Sequence, residues 1–316
     1  MGEDDIVLYR TGKATLASKE FARFPVEDDL SRVVETWKPQ AAIISNPTSL
    51  HMDTALPLAR AGIHLLIEKP ISNSRVKVLD LQETLHESGA KVLVGYQFRF
   101  HPGIRQAKKM IAEGAIGKID SVHVYWGEYL PDWHPWEDYQ LAYSARRDLG
   151  GGVVLTLSHP IDYLRWIFGE VDALTAEIGN RSTLAIDVEE SADFELEFNS
   201  GVKASVHLDY LQNPKRHWMD IKGEHGTLHW DYADADLGWS TSSTQDERRT
   251  AGTLAFQRNE MFLQEMAHFI DLIRDDGNPI CTVEDGLRTL EVALAVHQSA
   301  RERRKIVMKE LEGARL

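Results

Sequence analysis

The fold is decided by the stretch Ile63-His64-Leu65-Leu66-Ile67-Glu68-Lys69-Pro70. Its apolar run predicts a strand that ends at the charged residues Glu68 and Lys69. The flanking stretches 51–61 and 74–88 have the pattern of helices, and each is followed by a glycine, the residue that often closes a helix. A strand between two helices is typical of a parallel, doubly wound sheet.

The same alternation extends in both directions from this strand. It predicts further strands at residues 6–9, 41–44 and 91–95, and a further helix at residues 28–37. We therefore expect an α/β, doubly wound, Rossmann-type domain over residues 1–100. Ligands of such a sheet bind beyond the carboxyl ends of its strands. Polar clusters fall at these ends, in residues 45–51, 68–70 and 96–101.

The pattern changes after residue 102. Residues 101–316 predict an α+β domain with a mainly antiparallel sheet, which would bind substrate and form oligomer contacts. Its predicted strands are residues 120–126, 173–178, 192–198, 203–211, 217–222 and 226–231. Its predicted helices are residues 104–113, 159–168, 259–275 and 283–304. Segment 234–252 is rich in Ser, Thr and Asp and predicts a mobile surface loop.

Composition excludes several classes of partner. The 316 residues carry a formal net charge of −14, so the chain repels phosphate backbones and nucleic acid is not an expected partner. Cys281 is the single cysteine, which excludes a disulfide within the chain and fits the cytoplasm. No apolar run reaches the roughly 18–20 residues that span a bilayer, and the acidic residues 1–5 do not begin a signal peptide. The histidines lack metal-ligand spacing, so no metal site is predicted.

The tripeptide Glu68-Lys69-Pro70 stands where a cofactor of the predicted sheet would lie. A lysine there can hold a sugar hydroxyl or a nicotinamide ribose and can ease hydride and proton transfer. By itself the tripeptide is better explained as a solvated charge pair at a strand end. Its weight comes from three companion motifs: Ser45-Asn46-Pro47-Thr48-Ser49-Leu50-His51, Gly95-Tyr96-Gln97-Phe98-Arg99-Phe100-His101-Pro102, and Gly150-Gly151-Gly152 followed by Thr156-Leu157-Ser158-His159-Pro160-Ile161-Asp162.

In this order and spacing, the four motifs resemble the glucose-fructose oxidoreductase / inositol dehydrogenase / rhizopine catabolism (Gfo/Idh/MocA) family, from about residue 5 to the C-terminus. The resemblance implies that Lys69 lies beside the nicotinamide and the reacting carbinol, and that His159 exchanges the hydroxyl proton. The implied activity is hydride transfer between a nicotinamide cofactor and a hydroxyl or keto carbon of a sugar, sugar derivative or cyclitol. The chain departs from the family at Thr156, near which an Asp is common; a threonine can hydrogen-bond a sugar but supplies no charge.

The remaining site residues are predicted in two groups. The residues expected to bind the cofactor are Ser45, Asn46, Pro47, His51, Glu68, Lys69 and Gln97. The residues expected to bind the substrate are Tyr96, Arg99, Trp133, Arg146, Thr156 and Asp162. Other roles fit some of them: His51 could simply begin a helix, Arg99 could tie the two domains together, and Asp162 could orient a helix. The aromatic loop that contains Trp133 could stack on a sugar or only pack against the sheet.

The sequence contains no G-x-G-x-x-G turn, which would let the backbone approach a pyrophosphate at a helix N-terminus. Residues 6–9 fit the second strand of a dinucleotide-binding fold, so its first strand-turn-helix unit is predicted to be missing. Arg10 and Lys13 follow this strand in place of an acidic ribose ligand and would suit a 2′-phosphate. NADP is therefore expected over NAD, although two surface cations fit the pattern equally.

A misplaced start, an omitted front segment or a natural variant with altered cofactor use would each explain the missing unit. Because the first strand is central in this fold, its loss leaves unpaired edges inside the sheet, and we favour an omitted segment. The rival function is a non-catalytic sugar- or nucleotide-binding regulator on the same fold. The missing turn and Thr156 favour a regulator, whereas Lys69 and His159 favour an enzyme. The resemblance also implies a homodimer or homotetramer.

Overall fold

The computed structural model describes residues 6–11, 23–180, 184–232, 237–241, 244–249, 257–274 and 277–311. Within these ranges the strands form sheets of two, three and nine members. The two smaller sheets lie in the predicted α/β part, and the large sheet lies in the predicted α+β part. The predicted fold class is confirmed.

The three-stranded sheet is parallel and carries most of the predicted site residues at its strand ends. In register, Ile44 pairs with Ile67 and Glu68 pairs with Gly95, so the carboxyl ends of the three strands meet at one edge. Helices connect the strands, as the alternation predicts. The strands are β3 (Ala41–Ile44), β4 (His64–Glu68) and β5 (Val92–Gly95), and the connecting helices are α2 (His51–Arg60) and α3 (Arg75–Ser88).

The two-stranded sheet consists of β1 (Leu8–Tyr9) and β2 (Val26–Glu27), which run parallel. Helix α1 (Leu30–Arg32) continues into a π-helical turn, Val33–Trp37, and leads towards β3. The strand and the helix predicted here are confirmed, but β2 was not predicted, because two residues show no alternation. Within the described ranges no strand pairing joins this sheet to the three-stranded one.

The nine-stranded sheet has the order β13-β12-β11-β10-β6-β9-β8-β7-β14 and is antiparallel except between β6 and β9. Its strands are β6 (Ile119–Gly127), β7 (Val171–Gly179), β8 (Ser191–Phe198), β9 (Lys203–Asp209), β10 (Arg216–Gly223), β11 (Gly226–Asp231), β12 (Leu237–Thr241), β13 (Thr244–Arg249) and β14 (Ile306–Val307). The helices of this part are α4 (Pro102–Ala112), α5 (Val153–Thr156), α6 (His159–Phe168), α7 (Arg258–Arg274) and α8 (Val283–Glu302). None of the helices described is long and apolar enough to cross a bilayer.

The surface loop predicted for residues 234–252 is wrong for 237–241 and 244–249, the part of the segment that the structure describes. β12 pairs with β11 and β13 pairs with β12, so these two strands extend the large sheet. Leu237 is fully buried, and Trp239 is half-buried against the core. The many Ser, Thr and Asp residues hid an alternation that only a few apolar side chains carry.

The C-terminal helices return to the first sheet. Val94 of β5 donates its N–H to the carbonyl oxygen of Cys281 at 3.1 Å, just before helix α8 begins. Thr282 and Asp285 form a reciprocal capping box that fixes this start. Residues on both sides of position 100 therefore pack around the three-stranded sheet, and a domain boundary at this position stays a prediction.

Candidate functional site

Two contacts bring the strand ends of the three-stranded sheet against helices α5 and α6. Lys69, which follows β4, donates from Nζ to the carbonyl oxygen of Thr156 at 2.7 Å. Tyr96, which follows β5, places its hydroxyl 3.2 Å from Ser158 Oγ and its ring edge-on to His159, with ring centroids 5.5 Å apart. Lys69 and His159 therefore lie in one crevice between the two parts of the chain.

Charges of both signs surround the ammonium group of Lys69. Burial is the largest influence and lowers the pKa of Lys69, while the carboxylates of Glu68 and Glu128 act to raise it and Arg258 acts to lower it. A cation in such a partly dehydrated place interacts strongly with any negative charge that develops beside it. Lys69 is thus suited to stabilise an alkoxide.

His159 is 1% exposed at the first turn of α6. Its imidazole packs against Phe98, at 4.6 Å between ring centroids, and against Trp126 at 5.7 Å. Burial, followed by the positive charge of Lys69, lowers the pKa of His159 well below the usual histidine value, so the ring is neutral at pH 7. Its Nδ1 makes no hydrogen bond with the described residues. A neutral imidazole with a buried, unused nitrogen can exchange a proton with a ligand hydroxyl.

The turn Gly150-Gly151-Gly152 places α5 and α6 against the three-stranded sheet. Gly150 has a φ of 80° and lies so close to Thr48 that an added Cβ would be 3.0 Å from the threonine Cβ. Gly152 has a φ of 106°, and an added Cβ there would collide with the carboxylate of Glu189. Both positions need glycine for backbone conformation and for space. The turn thereby fixes the approach of Thr156 and His159 to Lys69.

The predicted cofactor residues after β3 and β5 include two buried amide oxygens. Asn46 Oδ1 and Gln97 Oε1 have no hydrogen-bond partner among the described residues. The amide nitrogen of Asn46 is used, since it donates to Leu50 O and Thr54 Oγ1 at the start of α2. Buried acceptors without partners are expected where a ligand supplies the donors.

The other predicted cofactor residues are placed less directly. His51 is buried, and its two ring nitrogens lie 2.8 Å from Asn46 O and 3.3 Å from Ile71 O, so it links two loops at the strand ends. Ser45 is exposed and Pro47 is half-buried in the loop after β3. Arg10 is half-buried at the end of β1, and Lys13 lies outside the described residues. Their cofactor contacts stay predictions.

The substrate roles predicted for Arg99 and Asp162 need correction. Arg99 donates from Nε and Nη2 to the carboxylate of Asp162 at 2.7–3.2 Å, and from Nη1 to Ile280 O at 2.6 Å. Both side chains are nearly inaccessible, at 2% and 0% exposure. Because each charge neutralises the other, the pair ties the segment after β5 to α6 and is not available to a substrate.

The other predicted substrate residues divide between the crevice and the surface. Tyr210 connects Trp133 to the crevice, because the two rings meet edge to face at 5.4 Å and the Tyr210 hydroxyl lies by the Thr156 side chain. Trp133 Nε1 is buried without a partner in the described part of the chain. Arg146, in contrast, is paired with Asp148 on the surface, with Nε 3.0 Å from the carboxylate, so its predicted grip on a substrate is not supported.

Sequence reasoning missed two charged residues of the crevice and suggested a third. Glu128, which the aromatic loop offers as a partner for ligand hydroxyls, accepts from Trp126 Nε1 at 3.2 Å and acts to raise the pKa of Lys69. The positive charge of Arg258, at the start of α7, acts to lower the pKa values of Lys69 and His159. Glu265 is 2% exposed, and burial together with the Glu68 carboxylate raises its pKa to about 8. The sequence did contain a signal for Glu265. It lies four residues from Met261 and four from Phe269, and therefore on the apolar stripe of α7.

Comparison with protein families agrees with this architecture. The model of an oxidoreductase family with an NAD-binding Rossmann fold matches residues 6–96, and the model of the GFO/IDH/MocA C-terminal domain matches residues 104–229. The chain belongs to the Gfo/Idh/MocA oxidoreductase family. The resemblance that the four motifs carry is confirmed. Within the described ranges no group of three or more His, Cys, Asp or Glu side chains is arranged to hold a metal ion.

Relatives of known activity in this family act on sugars and cyclitols, as their names state. The chain is 25% identical to levoglucosan dehydrogenase of Pseudarthrobacter phenanthrenivorans, over 74% of this chain and 67% of that protein. It is 26% identical to scyllo-inositol 2-dehydrogenase (NAD(+)) of Bacillus subtilis, over 92% and 84%. A match to an uncharacterised oxidoreductase of Synechocystis, 26% identical, spans 64% of this chain and 57% of that protein.

Solved structures confirm the fold. Levoglucosan dehydrogenase in complex with NADH and L-sorbose superposes with a TM-score of 0.86 at 20% identity, covering 97% of this chain and 90% of that one. An oxidoreductase domain protein from Kribbella flavida gives a TM-score of 0.81 at 19% identity, covering 90% and 84%. The Gfo/Idh/MocA chain thus has a Rossmann NAD-binding domain followed by a mainly antiparallel sheet domain.

Proposed function

We propose that the chain transfers a hydride between a nicotinamide cofactor and a hydroxyl or keto carbon of a sugar, sugar derivative or cyclitol. The observation that carries this proposal is the meeting of a cation and a neutral base in one crevice. Lys69 lies at the strand ends where a doubly wound sheet binds its cofactor. His159 faces it from α6, close enough for the charge of Lys69 to lower its pKa.

The residues of the crevice fit the nicotinamide end of the cofactor. Asn46 Oδ1 and Gln97 Oε1 are buried acceptors that a carboxamide or a ribose hydroxyl would satisfy. When bound, the nicotinamide supplies the carbon that gives or accepts the hydride. The described residues do not contain the glycine-rich turn that fits the pyrophosphate, so we derive no step at that end.

The chain's own residues would divide the remaining work. Lys69 holds the carbinol oxygen and stabilises negative charge on it, while the neutral imidazole of His159 accepts the hydroxyl proton. Tyr96, Phe98 and Trp126 enclose the imidazole and exclude water from it. In the reverse direction His159 returns the proton to the same oxygen. General acid–base help of this kind is worth roughly 10²–10⁴-fold in rate.

Three finer statements belong to the same proposal. We propose NADP over NAD, supported by Arg10 at the end of β1, where a 2′-phosphate ligand is expected. We propose a homodimer or homotetramer and a cytoplasmic location; the buried free thiol of Cys281 supports a reducing compartment. Neither nucleic acid nor membrane is a proposed partner, since the chain is acidic.

A non-catalytic sugar- or nucleotide-binding regulator is the second candidate. Thr156 favours it, because the carbonyl of this residue is already engaged by Lys69 and its side chain brings no charge to a substrate. A regulator would bind a sugar in the same crevice without changing it.

Replacement of His159 by alanine distinguishes the two candidates. We would assay wild type and His159→Ala with NADP and NAD against levoglucosan, myo-inositol and scyllo-inositol. An enzyme shows turnover that falls by about 10²-fold or more in the variant, with nicotinamide binding retained. The proposal fails if wild type turns over none of these or related polyols yet binds one of them.

A further inference from the structure

The end of strand β9 lies between the crevice and the outer face of the large sheet. Alternate side chains of a strand point to opposite faces. The even-numbered residues from 204 to 208 are buried on the face that packs against helix α5, whereas His207 is half-buried on the opposite, outer face. The same alternation places Asp209 on the outer face and Tyr210 on the inner face. Two consecutive residues therefore connect the two sides of the sheet.

Four hydrogen bonds from described residues hold the carboxylate of Asp209 on the outer face. Oδ1 accepts from Leu211 N at 2.7 Å and from Gln212 N at 2.6 Å, and it thereby fixes the turn that follows β9. Oδ2 lies 3.1 Å from His207 Nε2 and accepts from the Tyr125 hydroxyl at 2.8 Å. A carboxylate with this many fixed donors holds a single geometry.

Charge and space favour the ionised form of Asp209. Its hydrogen bond is the largest cause that raises the pKa of His207 to about 9, and Asp193, at 2.6 Å from Nδ1, acts in the same direction. His207 is therefore an imidazolium at pH 7. Burial acts to raise the pKa of Asp209, but the hydrogen bonds from His207 and from the turn outweigh it and lower the pKa. Gly127, the register partner of Asp209 on β6, leaves the room, since an added Cβ would collide with the carboxylate.

Tyr210 connects this strand end to the glycine turn of the crevice. Its side chain is fully buried, and its hydroxyl donates to Ser144 O at 3.2 Å. The same carbonyl oxygen accepts from Gly152 N at 3.0 Å, immediately before helix α5. Tyr210 therefore supports the turn that places His159 in the crevice.

The backbone of the same two residues anchors the aromatic loop. Glu128 N donates to Asp209 O at 3.1 Å, and Leu130 N donates to Tyr210 O at 3.0 Å. This loop carries the Glu128 carboxylate, which acts to raise the pKa of Lys69. The groups that face Lys69 and the turn that carries His159 are thus both attached to residues 209 and 210.

We propose that Asp209 is a positioning residue, which from the outer face of the large sheet fixes Tyr210 and the loop of Glu128 in the geometry that hydride transfer requires. Its side chain points away from the crevice and acts through Tyr210. A displacement of about 1 Å at a reacting group can lower a rate by roughly 10²-fold, so support of this kind affects kcat. The role rests on the proposed function, but the fixed geometry can be measured without turnover.

Four variants separate this role from a general effect on the sheet. Asp209→Ala removes both carboxylate oxygens, whereas Asp209→Asn keeps one oxygen for the two backbone N–H groups of the turn. Asp193→Ala is the matched control, because Asp193 shares His207 on the same face but is 68% exposed. Tyr210→Phe removes only the hydroxyl and leaves the outer face unchanged. Each whole chain is assayed with the polyol that wild type turns over and is examined by hydrogen exchange.

We expect kcat at least about tenfold lower in Asp209→Ala and in Tyr210→Phe, and within about threefold of wild type in Asp209→Asn and Asp193→Ala. Hydrogen exchange follows the amides of Gly152 and Leu130, which bond to Ser144 O and Tyr210 O. Exchange should be faster at both amides in Asp209→Ala and at Gly152 alone in Tyr210→Phe. It should be unchanged in Asp193→Ala.

Unchanged kcat in Asp209→Ala beside an active wild type would overturn the proposal, and so would an equal loss in Asp193→Ala. Unchanged exchange at both amides in Asp209→Ala would also overturn it. If Asp209→Ala does not fold, unchanged exchange at Gly152 in Tyr210→Phe has the same meaning. A wild type without turnover contradicts the proposed function, and the exchange pattern then decides the positioning role by itself.

Discussion

Lys69 is the residue whose replacement should remove most activity at least cost in structure. Its ammonium makes one hydrogen bond, to Thr156 O, and is otherwise directed at the charges of the crevice. We expect Lys69→Met to lower kcat by roughly 10²–10⁴-fold, because the developing alkoxide loses its stabilising cation. Lys77→Met is the control, because Lys77 forms an exposed pair with Asp53. Unchanged kcat in Lys69→Met would remove this residue from the mechanism.

Four buried histidines of the described residues couple stability to pH. Burial is the largest cause in each case; it lowers the pKa of His101 to about 3, the pKa values of His159 and His217 well below the usual range, and the pKa of His51 below its usual value. Below pH 6.5 the unfolded chain therefore binds more protons than the folded one, and this contribution to stability is lost as pH falls. Glu265 acts in the opposite sense, since its pKa is raised to about 8. A single variant is needed to isolate one histidine.

His101→Asn removes one of these protons and keeps a helix cap, because His101 Nδ1 accepts from Gly103 N and asparagine caps equally well. We expect the unfolding free energy of wild type to fall, relative to the variant, by up to about 1.4 kcal/mol per pH unit below pH 6.5. Urea unfolding between pH 7.5 and 5.0 measures the difference. A pH-independent difference would show that His101 titrates as an exposed histidine does.

At the scale of elements, the glycine turn before α5 sets the distance between the two halves of the site. Gly152→Ala would drive a Cβ into the Glu189 carboxylate, shift the segment that carries Thr156 and His159, and lower kcat by roughly 10²-fold. Gly169→Ala is the control, since Gly169 has a φ of 92° but open space around it. Gly169→Ala should lose about 1–2 kcal/mol of stability, and Gly152→Ala should lose more because it adds the collision with Glu189. Equal kcat in both would mean that the turn does not position the site.

The buried pair of Arg99 and Asp162 should contribute more to stability than any surface pair. Asp162→Asn removes the nearer counter-charge of the buried guanidinium and leaves it only Asp285, 3.3 Å from Nη1, so we expect a loss of about 3–5 kcal/mol in unfolding free energy. Asp148→Asn breaks the exposed pair with Arg146 and should leave stability unchanged. Chemical unfolding of both variants tests this. A small loss in Asp162→Asn would mean that water reaches Arg99.

The elements themselves differ in how well sequence reveals them. Helix α3 and strand β4 carry clear patterns and end signals, Gly89 for α3 and the charged pair after β4, and they were predicted within one or two residues. β2, β12 and β13 were not predicted, because short or Ser/Thr-rich strands carry little alternation. Contacts between residues far apart in the chain also cannot be seen in the sequence. No sequence pattern relates Cys281 to Val94, since that pairing arises only when the last helices fold back onto the sheet.

For the whole molecule, the structure brings predicted site residues together where a motif marked a strand end, and it pairs them away from the crevice where a charge has a partner far along the chain. Lys69 and His159 meet as expected, whereas Arg99 finds Asp162 at a separation of 63 residues. Arg258 lies at the start of helix α7, where no sequence motif marks it. Tertiary pairing of charges is set by packing of distant elements, and one sequence does not display it.

We propose that a second copy binds the face of the large sheet that carries Tyr125, His207 and Trp218. Tyr125, His207 and Trp218 stack across neighbouring strands on this face, with centroids 5.0 and 6.0 Å from Tyr125. We expect analytical ultracentrifugation to give two or four times the chain mass of 35.8 kDa, and Trp218→Arg to reduce it. A mass of one chain at micromolar concentration would contradict the proposed oligomer.

Transfer of a label tests the central claim most directly. The chain would be incubated with NADP or NAD and with levoglucosan or an inositol that carries deuterium at the reacting carbinol carbon, and the reduced nicotinamide would be examined by mass spectrometry. We predict that deuterium appears on the nicotinamide with wild type and Lys77→Met, and that it appears at least about 10²-fold more slowly with Lys69→Met. Binding of cofactor and polyol without any transfer of deuterium would contradict hydride transfer in the crevice of Lys69 and His159.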